Sequence, residues 1–323
     1  GTYAEKVSIT GARDGLQLIS IKPLKATIKD PSIYAYPMPP IVGITDVDNV
    51  TVKGFKVRAL TKDTYDAFSQ DGIIATNAKS VTIQGNNLGW TGPGGWTELS
   101  RGIVATGGTT GTISGNTIFD AATTGIDVVD ASNVGTNVTV KGNTIKTPFA
   151  GLNSSQPPVL AAWTGWGIEV KNARAIVSGN TLTAQTVYNF NTTLSNAIEV
   201  YNGPGSTVSG NTVTGAAVGI KVTGSGHVVS GNTLTTRQTS ISLNNADGAV
   251  VKNNTAKATY GSFGGIWVSA STGNANIHDN DFRGSTGTDC VDAGGNANTN
   301  TWTNDLGNES NPSGICDTIG VPK

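Results

Sequence analysis

The sequence predicts an all-β solenoid, a parallel β-helix of roughly 9–11 coils. A short phrase of the form apolar, x, Gly, Asn recurs along the 323 residues, and a second phrase, Gly-Ile-x-Val, recurs between its copies. The composition agrees with this fold, because Gly, Thr, Ser, Asn and Val are plentiful whereas Glu, Lys, Met and Leu are scarce. Such a balance favours strands and turns over helices.

The Asn phrase marks one turn of each coil. Its copies end at Asn86, Asn116, Asn143, Asn180, Asn211, Asn232, Asn254 and Asn280. Successive copies are 30, 27, 37, 31, 21, 22 and 26 residues apart, so the shortest spacings represent a bare coil and the longer ones a coil with an insertion. Asn after Gly suits a tight turn, because Asn tolerates left-handed backbone. Stacked in register, these side chains are expected to form a hydrogen-bonded ladder inside the turn.

The second phrase predicts one alternating strand in each coil. Its copies begin at Gly72, Gly102, Gly125, Gly167, Ala197, Gly219, Ser240 and Gly265. Successive side chains of a strand point to opposite faces, so the apolar residues of the phrase point inward and the x residue points outward. Stacked coils then bury a continuous apolar core that no single coil could bury alone.

We expect one solenoid domain over residues 1–323, with an irregular last coil and C-terminal cap over roughly 285–323. The chain opens at Gly1 already in a strand-like pattern, so an upstream segment is expected to have been removed. Cys290 and Cys316 are interpreted as a disulfide that closes the last coil, which fits an extracellular protein. Two reduced, buried thiols are the alternative.

Charge and hydropathy exclude two classes of partner. The net charge is −1, so the chain lacks the basic footprint of a nucleic-acid-binding protein. No apolar run approaches the roughly 20 residues that a membrane span needs. Only 13% of the residues are charged, so a local concentration of charge is informative.

In the style of its repeats the chain resembles the right-handed parallel β-helix superfamily. Members include pectate lyases, alginate and chondroitin lyases, alginate epimerases, polygalacturonases and phage tailspikes, and the resemblance covers nearly the whole chain. It implies that the Asn turn separates a second from a third sheet, and that the Gly-Ile-x-Val strands form a first sheet that is the floor of a substrate cleft. It also implies a secreted polysaccharide-processing enzyme without an organic cofactor.

Three carboxylates fall on consecutive copies of the x position: Asp127, Glu169 and Glu199. Strands of neighbouring coils lie about 4.8 Å apart, so these side chains would repel unless a cation, a base or a raised pKa relieves them. The flanking bases are Lys171, Lys221 and Arg101. Because such a row does not stabilise the fold, it indicates function. A solvated face whose charges pair off is the alternative.

β-Elimination of a uronate-containing polysaccharide is the first chemistry that this row favours. The carboxylates of Asp127, Glu169 and Glu199 could hold Ca²⁺, which takes oxygen ligands and would neutralise the uronate. Lys171, Lys221 or Arg101 would take the proton at a depressed pKa. The arrangement resembles that of pectate and chondroitin lyases by position type, without their specific signatures.

Glycoside hydrolysis by two carboxylates is the second chemistry. Adjacent coils give roughly 5 Å, near the separation of retaining enzymes, and alternate coils give roughly 9.6 Å, near that of inverting enzymes. Asp127 could serve with Glu169 or with Glu199. The polygalacturonase and pectin-esterase patterns are absent from the sequence.

Aromatic residues near the row are interpreted as platforms for sugar rings, or as residues that pack loops against the coil. They are Trp96, Trp163, Trp166, Tyr201 and Trp267. Asp71 is interpreted as a turn residue that could extend the groove. A non-catalytic, glycan-binding or surface solenoid stays open, and its mark would be full occupancy of the acidic row by salt bridges.

Overall fold

The structure is a computed structural model that describes residues 1–30, 39–59, 70–89, 99–119, 121–130, 135–147, 165–184, 196–203, 205–260, 263–294 and 299–316. These residues form parallel strands, turns and loops. No helix among them has the length and apolar character of a membrane span. The chain divides into an N-terminal unit, Gly1–Ala175 with Gln185–Thr192, and a C-terminal unit, Ile176–Ala184 with Thr193–Lys323.

The N-terminal unit contains strands of three parallel sheets, to which each coil contributes in turn. The first sheet has the spatial order β2 (Val7–Thr10), β5 (Val42–Thr45), β8 (Ile73–Thr76), β11 (Leu99–Thr106), β14 (Ala121–Val129) and β17 (Trp166–Lys171). The second has β3 (Gln17–Ile19), β6 (Thr51–Lys53), β9 (Val81–Gln84), β12 (Thr110–Ser114) and β15 (Asn137–Lys141). The third has β1 (Thr2–Ala4), β4 (Thr27–Lys29), β7 (Lys56–Arg58), β10 (Asn87–Leu88), β13 (Thr117–Phe119) and β16 (Thr144–Thr147).

The C-terminal unit repeats this arrangement. Its first sheet contains β20 (Asn196–Tyr201), β23 (Val218–Thr223), β26 (Thr239–Asn244), β29 (Phe263–Val268), β31 (Thr288–Asp292) and β33 (Ser310–Asn311). The second contains β18 (Arg174–Ser178), which begins in the N-terminal unit, β21 (Thr207–Ser209), β24 (Val228–Ser230), β27 (Val250–Lys252), β30 (Asn276–His278) and β32 (Thr301–Thr303). The third contains β19 (Thr181–Ala184), β22 (Thr212–Thr214), β25 (Thr233–Thr236) and β28 (Thr255–Ala258).

The Gly-Ile-x-Val strands lie in the first sheet, and their Ile and Val residues are fully buried, as the alternation predicts. Two of the glycines that open the phrase, Gly102 and Gly125, lie very close to the neighbouring coil. A Cβ atom on Gly102 would lie 2.5 Å from the carbonyl oxygen of Gly125, and one on Gly125 would lie 2.6 Å from that of Gly167. A Cβ atom at either of these two positions would therefore require the neighbouring coil to shift, although Ala197 and Ser240 open the phrase in two other copies.

The predicted asparagine ladder is confirmed within each unit, in the turn between the second and third sheets. In the C-terminal unit, the side-chain amide of each Asn donates to the amide oxygen of the next along Asn180, Asn211, Asn232, Asn254 and Asn280. The same bonds join Asn86, Asn116 and Asn143 in the N-terminal unit. Each side-chain amide thus forms hydrogen bonds with buried backbone groups as well as with the neighbouring Asn.

The expectation that Asn adopts the left-handed conformation in these turns is wrong. The preceding glycine adopts it, with φ of 62° at Gly85 and 60° at Gly115. The amide of the Asn has to point into the turn to join the ladder, so the strained backbone falls to the residue without a Cβ. In the two copies without that Gly, Asn253 and Asp279 take its place, with φ of 54° and 58°.

Replacing Asn232 by Ala should destabilise the C-terminal unit by about 3 kcal/mol. The amide of Asn232 donates to Val208 O at 3.0 Å and to Asn254 Oδ1 at 2.9 Å, and it accepts from Asn211, so its loss strands several buried groups. The midpoint of denaturant unfolding measures this loss. Thr233→Ala, at an exposed neighbour, is the control, and an equal effect of both variants would contradict a role for the ladder.

The last coil ends the ladder with a carboxylate instead of an amide. Asp305 Oδ1 accepts from the backbone N–H of Asn280 at 3.0 Å and from its side-chain amide at 2.7 Å. Asp305 is 1% exposed, and burial raises its pKa from 3.8 to about 6. The predicted disulfide between Cys290 and Cys316 is present in the same coil. The described part of this coil continues the sheets through β31, β32 and β33.

Asp305→Asn should stabilise the protein at pH 7 by roughly 1–2 kcal/mol. Because the folded-state pKa of Asp305 is raised, the stability linked to this group is fully present below pH 3.8 and is lost as the pH rises through about 6. The amide extends the ladder without a charge, so the gain should vanish near pH 3.5. Denaturant unfolding at the two pH values measures it, and a gain that does not depend on pH would refute the titration of Asp305 as its cause.

Candidate functional site

The outward face of the first sheet carries the predicted acidic residues. In the N-terminal unit, Asp127 on β14 and Glu169 on β17 are register partners on neighbouring strands. Strand alternation places both side chains on the face opposite Ile126 and Ile168, which are fully buried in the core. The register thus brings two carboxyl-bearing residues to neighbouring positions, about 4.8 Å apart along the sheet.

Arg101 on β11 binds two carboxylates at once. Its Nε and Nη2 donate to the two carboxylate oxygens of Asp71, at 2.9 and 2.7 Å, and its Nη1 donates to Asp127 Oδ2 at 3.0 Å. The hydrogen bonds and charge of Asp71, together with Asp127, hold the pKa of Arg101 above its ordinary value. Arg101 as a base with a depressed pKa is therefore wrong, because two carboxylates stabilise its charged form.

Asp127 is only 6% exposed. Burial raises its pKa, and this effect outweighs the opposing one of the Arg101 cation. Asp127 therefore keeps its proton to a higher pH than an ordinary aspartate does. Its Oδ1 is buried and accepts no hydrogen bond from the described residues.

The remaining members of this group lie on β17. Glu169 is half-buried beside Asp127, and Lys171, which follows two residues later on the same face, is exposed. The charge of Lys171 reaches Asp127 and lowers its pKa slightly. Trp166 is half-buried at the start of the same strand. An acid, a second carboxylate and two cations thus lie together in the N-terminal unit, with Trp166 on the same strand as two of them.

The C-terminal unit holds the third predicted carboxylate. Glu199 on β20 is buried, and it accepts from Lys221 Nζ at 2.9 Å and from Asn196 Nδ2 at 2.8 Å. The ion pair occupies Lys221, which was a candidate base. Glu199, Lys221, Ser242 and Trp267 are successive register partners on this sheet. The predicted adjacency of Glu169 and Glu199 stays a prediction.

The predicted calcium ligands do not fit a calcium site. Asp127 is bound to Arg101 and Glu199 to Lys221, so two of the three carboxylates already have a cationic partner. Within the described parts of the chain, no group of three or more His, Cys, Asp or Glu side chains could hold a metal ion. We therefore assign no step to a metal.

Some of the predicted aromatic side chains lie on the first sheet of the C-terminal unit. Tyr201 is 36% exposed at the end of β20, and Trp267 is half-buried on β29, with its ring centroid 6.3 Å from that of Phe263. Trp96 and Trp163 lie outside the described residues. Phe263 is exposed and Tyr260 is 70% exposed, and neither was predicted. Phe263 opens the first-sheet strand β29 and Tyr260 lies three residues before it, and this position in a chain with few aromatics is the signal that could have found them.

A family model described as a right-handed β-helix region matches residues 26–182 and 153–282. The chain belongs to the right-handed β-helix family. Its three sheets of parallel strands agree with this assignment. No curated protein sequence matches the β-helix at a significant level.

Two solved structures are similar to the β-helix in fold. The Dettilon tailspike protein is 17% identical with a TM-score of 0.57, and the match covers 93% of this chain and 59% of the tailspike. The Azotobacter vinelandii mannuronan C-5 epimerase AlgE6 A-module is 12% identical with a TM-score of 0.61, and the match covers 96% and 84% of the two chains. The β-helix therefore spans less than two thirds of the tailspike.

Arg101→Met should lower the free energy of unfolding of the β-helix by about 2 kcal/mol at pH 7, and by less at pH 4. Without the cation the pKa of Asp127 rises further, so stability is retained at low pH and lost as the pH rises through that pKa. Urea unfolding at both pH values tests this. Arg283→Met, which breaks the half-buried surface pair with Asp281, should change little at either pH. Equal losses for Arg101→Met at pH 4 and pH 7 would indicate lost packing instead.

Proposed function

We propose that this β-helix is a carbohydrate-active enzyme that cleaves glycosidic bonds of a polysaccharide, with Asp127 as the proton donor and Glu169 as the second carboxylate. The observation that carries the proposal is the pairing of these residues in register, one of them buried with a raised pKa. Glycoside hydrolysis requires two carboxyl groups with different pKa values, so that one is protonated while the other is ionised. The disulfide supports action outside the cytoplasm.

The geometry supports a retaining mechanism. Neighbouring strands lie about 4.8 Å apart, close to the about 5–5.5 Å that separates the two carboxyl groups of retaining enzymes. Asp127 would give its proton to the glycosidic oxygen as the bond from that oxygen to C1 breaks, while Glu169 forms an ester bond to C1. Water that loses a proton to Asp127 would then displace Glu169 and restore both groups.

Polysaccharide as the substrate class has two supports. One similar structure is named a mannuronan C-5 epimerase, and by analogy we propose a polysaccharide substrate for the present chain. The second support is Trp166, on the strand that carries Glu169, since flat aromatic side chains stack on sugars. Trp166 lies three residues before Glu169 on β17, and Tyr201 and Trp267 lie on the first sheet of the C-terminal unit.

β-Elimination is the second candidate, and one observation favours it. Lys171 is exposed and close enough to Asp127 to lower the pKa of that group, so it could serve as the base at the same site. The other two predicted bases are weaker candidates, because Arg101 and Lys221 are bound to carboxylates. The ion pairs of Asp127 and Glu199 likewise favour, in part, a non-catalytic solenoid that binds glycan.

A panel of acidic and neutral polysaccharides, with Ca²⁺ or with chelator, separates these functions. Reducing-end assays report any cleavage, and ultraviolet absorbance reports the unsaturated ends that only elimination makes. We expect reducing ends without absorbance, and activity that falls as the pH rises through the pKa of Asp127. Absorbance would establish elimination, and absence of both signals across the panel would leave a binding solenoid.

Glu169→Gln should abolish turnover, and Asp127→Asn should reduce it by about 10²–10⁴-fold. Both substitutions keep the size of the side chain, so circular dichroism should be unchanged. Glu5→Gln, at an exposed carboxylate in the first coil, is the matched control and should retain full rate. Full activity of Glu169→Gln on a substrate that the wild type cleaves would eliminate this pair as the catalytic centre.

A further inference from the structure

Asp71 forms a bidentate contact with Arg101 beside Asp127. It precedes Gly72 as Arg101 precedes Gly102, and the backbone N–H of Gly72 donates to Arg101 O at 2.9 Å, so the two residues hold equivalent positions on neighbouring coils. Both oxygens of Asp71 accept from the Arg101 guanidinium, at 2.9 and 2.7 Å. A bidentate pair of this kind fixes the plane of the guanidinium as well as its position.

Asp71 and Asp127 share a single cation. Asp71 takes two of the three hydrogen bonds that Arg101 makes to them, and Asp127 takes one, at 3.0 Å. The second oxygen of Asp127 is buried without a partner among the described residues. A carboxylate that accepts a bidentate contact from a cation is stabilised in its ionised form. A buried carboxylate that accepts only one hydrogen bond from the cation is stabilised less and keeps its proton to a higher pH.

We propose that Asp71 is a positioning residue of this site: by holding the Arg101 guanidinium in a bidentate contact, it leaves Asp127 with a single hydrogen bond from that cation, so that the Asp127 carboxyl group can serve as the proton donor. The inference rests on the proposed function for its use in catalysis, and on the geometry of the three residues for the effect itself. Asp71 acts through Arg101.

The charges around Asp127 support this effect. Arg101 and Asp71 approach from the preceding coils, and Glu169 and Lys171 lie on the next strand. Burial raises the pKa of Asp127 most, Arg101 and then Lys171 lower it, and the Asp71 charge raises it. Removing that charge deletes a repulsion and also frees Arg101 for Asp127. Both changes lower the pKa of Asp127.

The test compares Asp71→Asn with the wild type by two readouts. The first is the titration midpoint of the Asp127 carboxyl, followed by ¹³C NMR and assigned with Asp127→Asn. The second is the pH profile of kcat and kcat/KM on the glycan that the panel identifies. We expect Asp71→Asn to lower the midpoint by roughly one pH unit and to move the high-pH limb of kcat by the same amount, with KM little changed.

Matched variants separate positioning from a merely structural role. Asp71→Glu keeps the carboxylate and should return both readouts towards the wild type. Asp281→Asn breaks a bidentate Asp–Arg pair of the same kind in the C-terminal unit, where Arg283 Nε donates to Asp281 Oδ1 at 2.7 Å, and should move neither readout. If Asp71→Asn does not fold, Asp71→Ser removes the same charge from the same position and carries the same expectation.

The outcomes are distinguishable. An unchanged Asp127 midpoint in a folded, charge-neutral Asp71 variant overturns the inference, whatever the activity. A lowered midpoint together with a shifted kcat limb supports it in full. A lowered midpoint in a protein that cleaves no glycan of the panel supports the control of Asp127 by Asp71 and overturns the proposed function instead.

Discussion

In-register pairing between parallel coils is the constraint on which the rest of this structure depends. Backbone hydrogen bonds hold each residue over its equivalents in the coils before and after it, about 4.8 Å away. Ile126 thus pairs with Ile168, and Val128 with Val170. Every side chain has to be compatible with its own copy on both sides. A position in the repeat therefore tolerates only residues that can stack on themselves or on a complementary neighbour.

Different residue types meet this constraint in different ways. An amide carries both a hydrogen-bond donor and an acceptor, so a stack of identical Asn side chains of any length can form hydrogen bonds from one to the next. The ladder ends at Asp305, whose carboxylate can only accept hydrogen bonds when it is ionised. Burial raises the pKa of this carboxyl group. Two ionised carboxylates repel each other at this distance, so they need a cation or a raised pKa. Asp127 is accordingly bound to Arg101, and Glu199 to Lys221.

The strands, the ladder and the buried columns could be predicted from the sequence because each depends on one position of the repeat. The left-handed turn residue could not be assigned in this way, since Gly and Asn stand side by side and both tolerate that backbone. The side-chain bond decided between them: the amide of Asn116 has to reach Asn143, so Gly115 takes the positive φ. The sequence identified Gly and Asn as the two candidates, and only the tertiary contact showed which of them takes the left-handed conformation.

The candidate site was harder to predict because its decisive contacts join different columns of the repeat. Asp127 occupies the x position of the strand phrase, whereas Asp71 and Arg101 precede its Gly. The column containing Asp127 predicted neighbouring acids, but it could not show that a long Arg side chain spans the gap to both carboxylates. That bridge changes Arg101 from a candidate base into a fixed cation. The chemistry of a solenoid face is thus decided by contacts between columns, for which the repeat itself provides no signal.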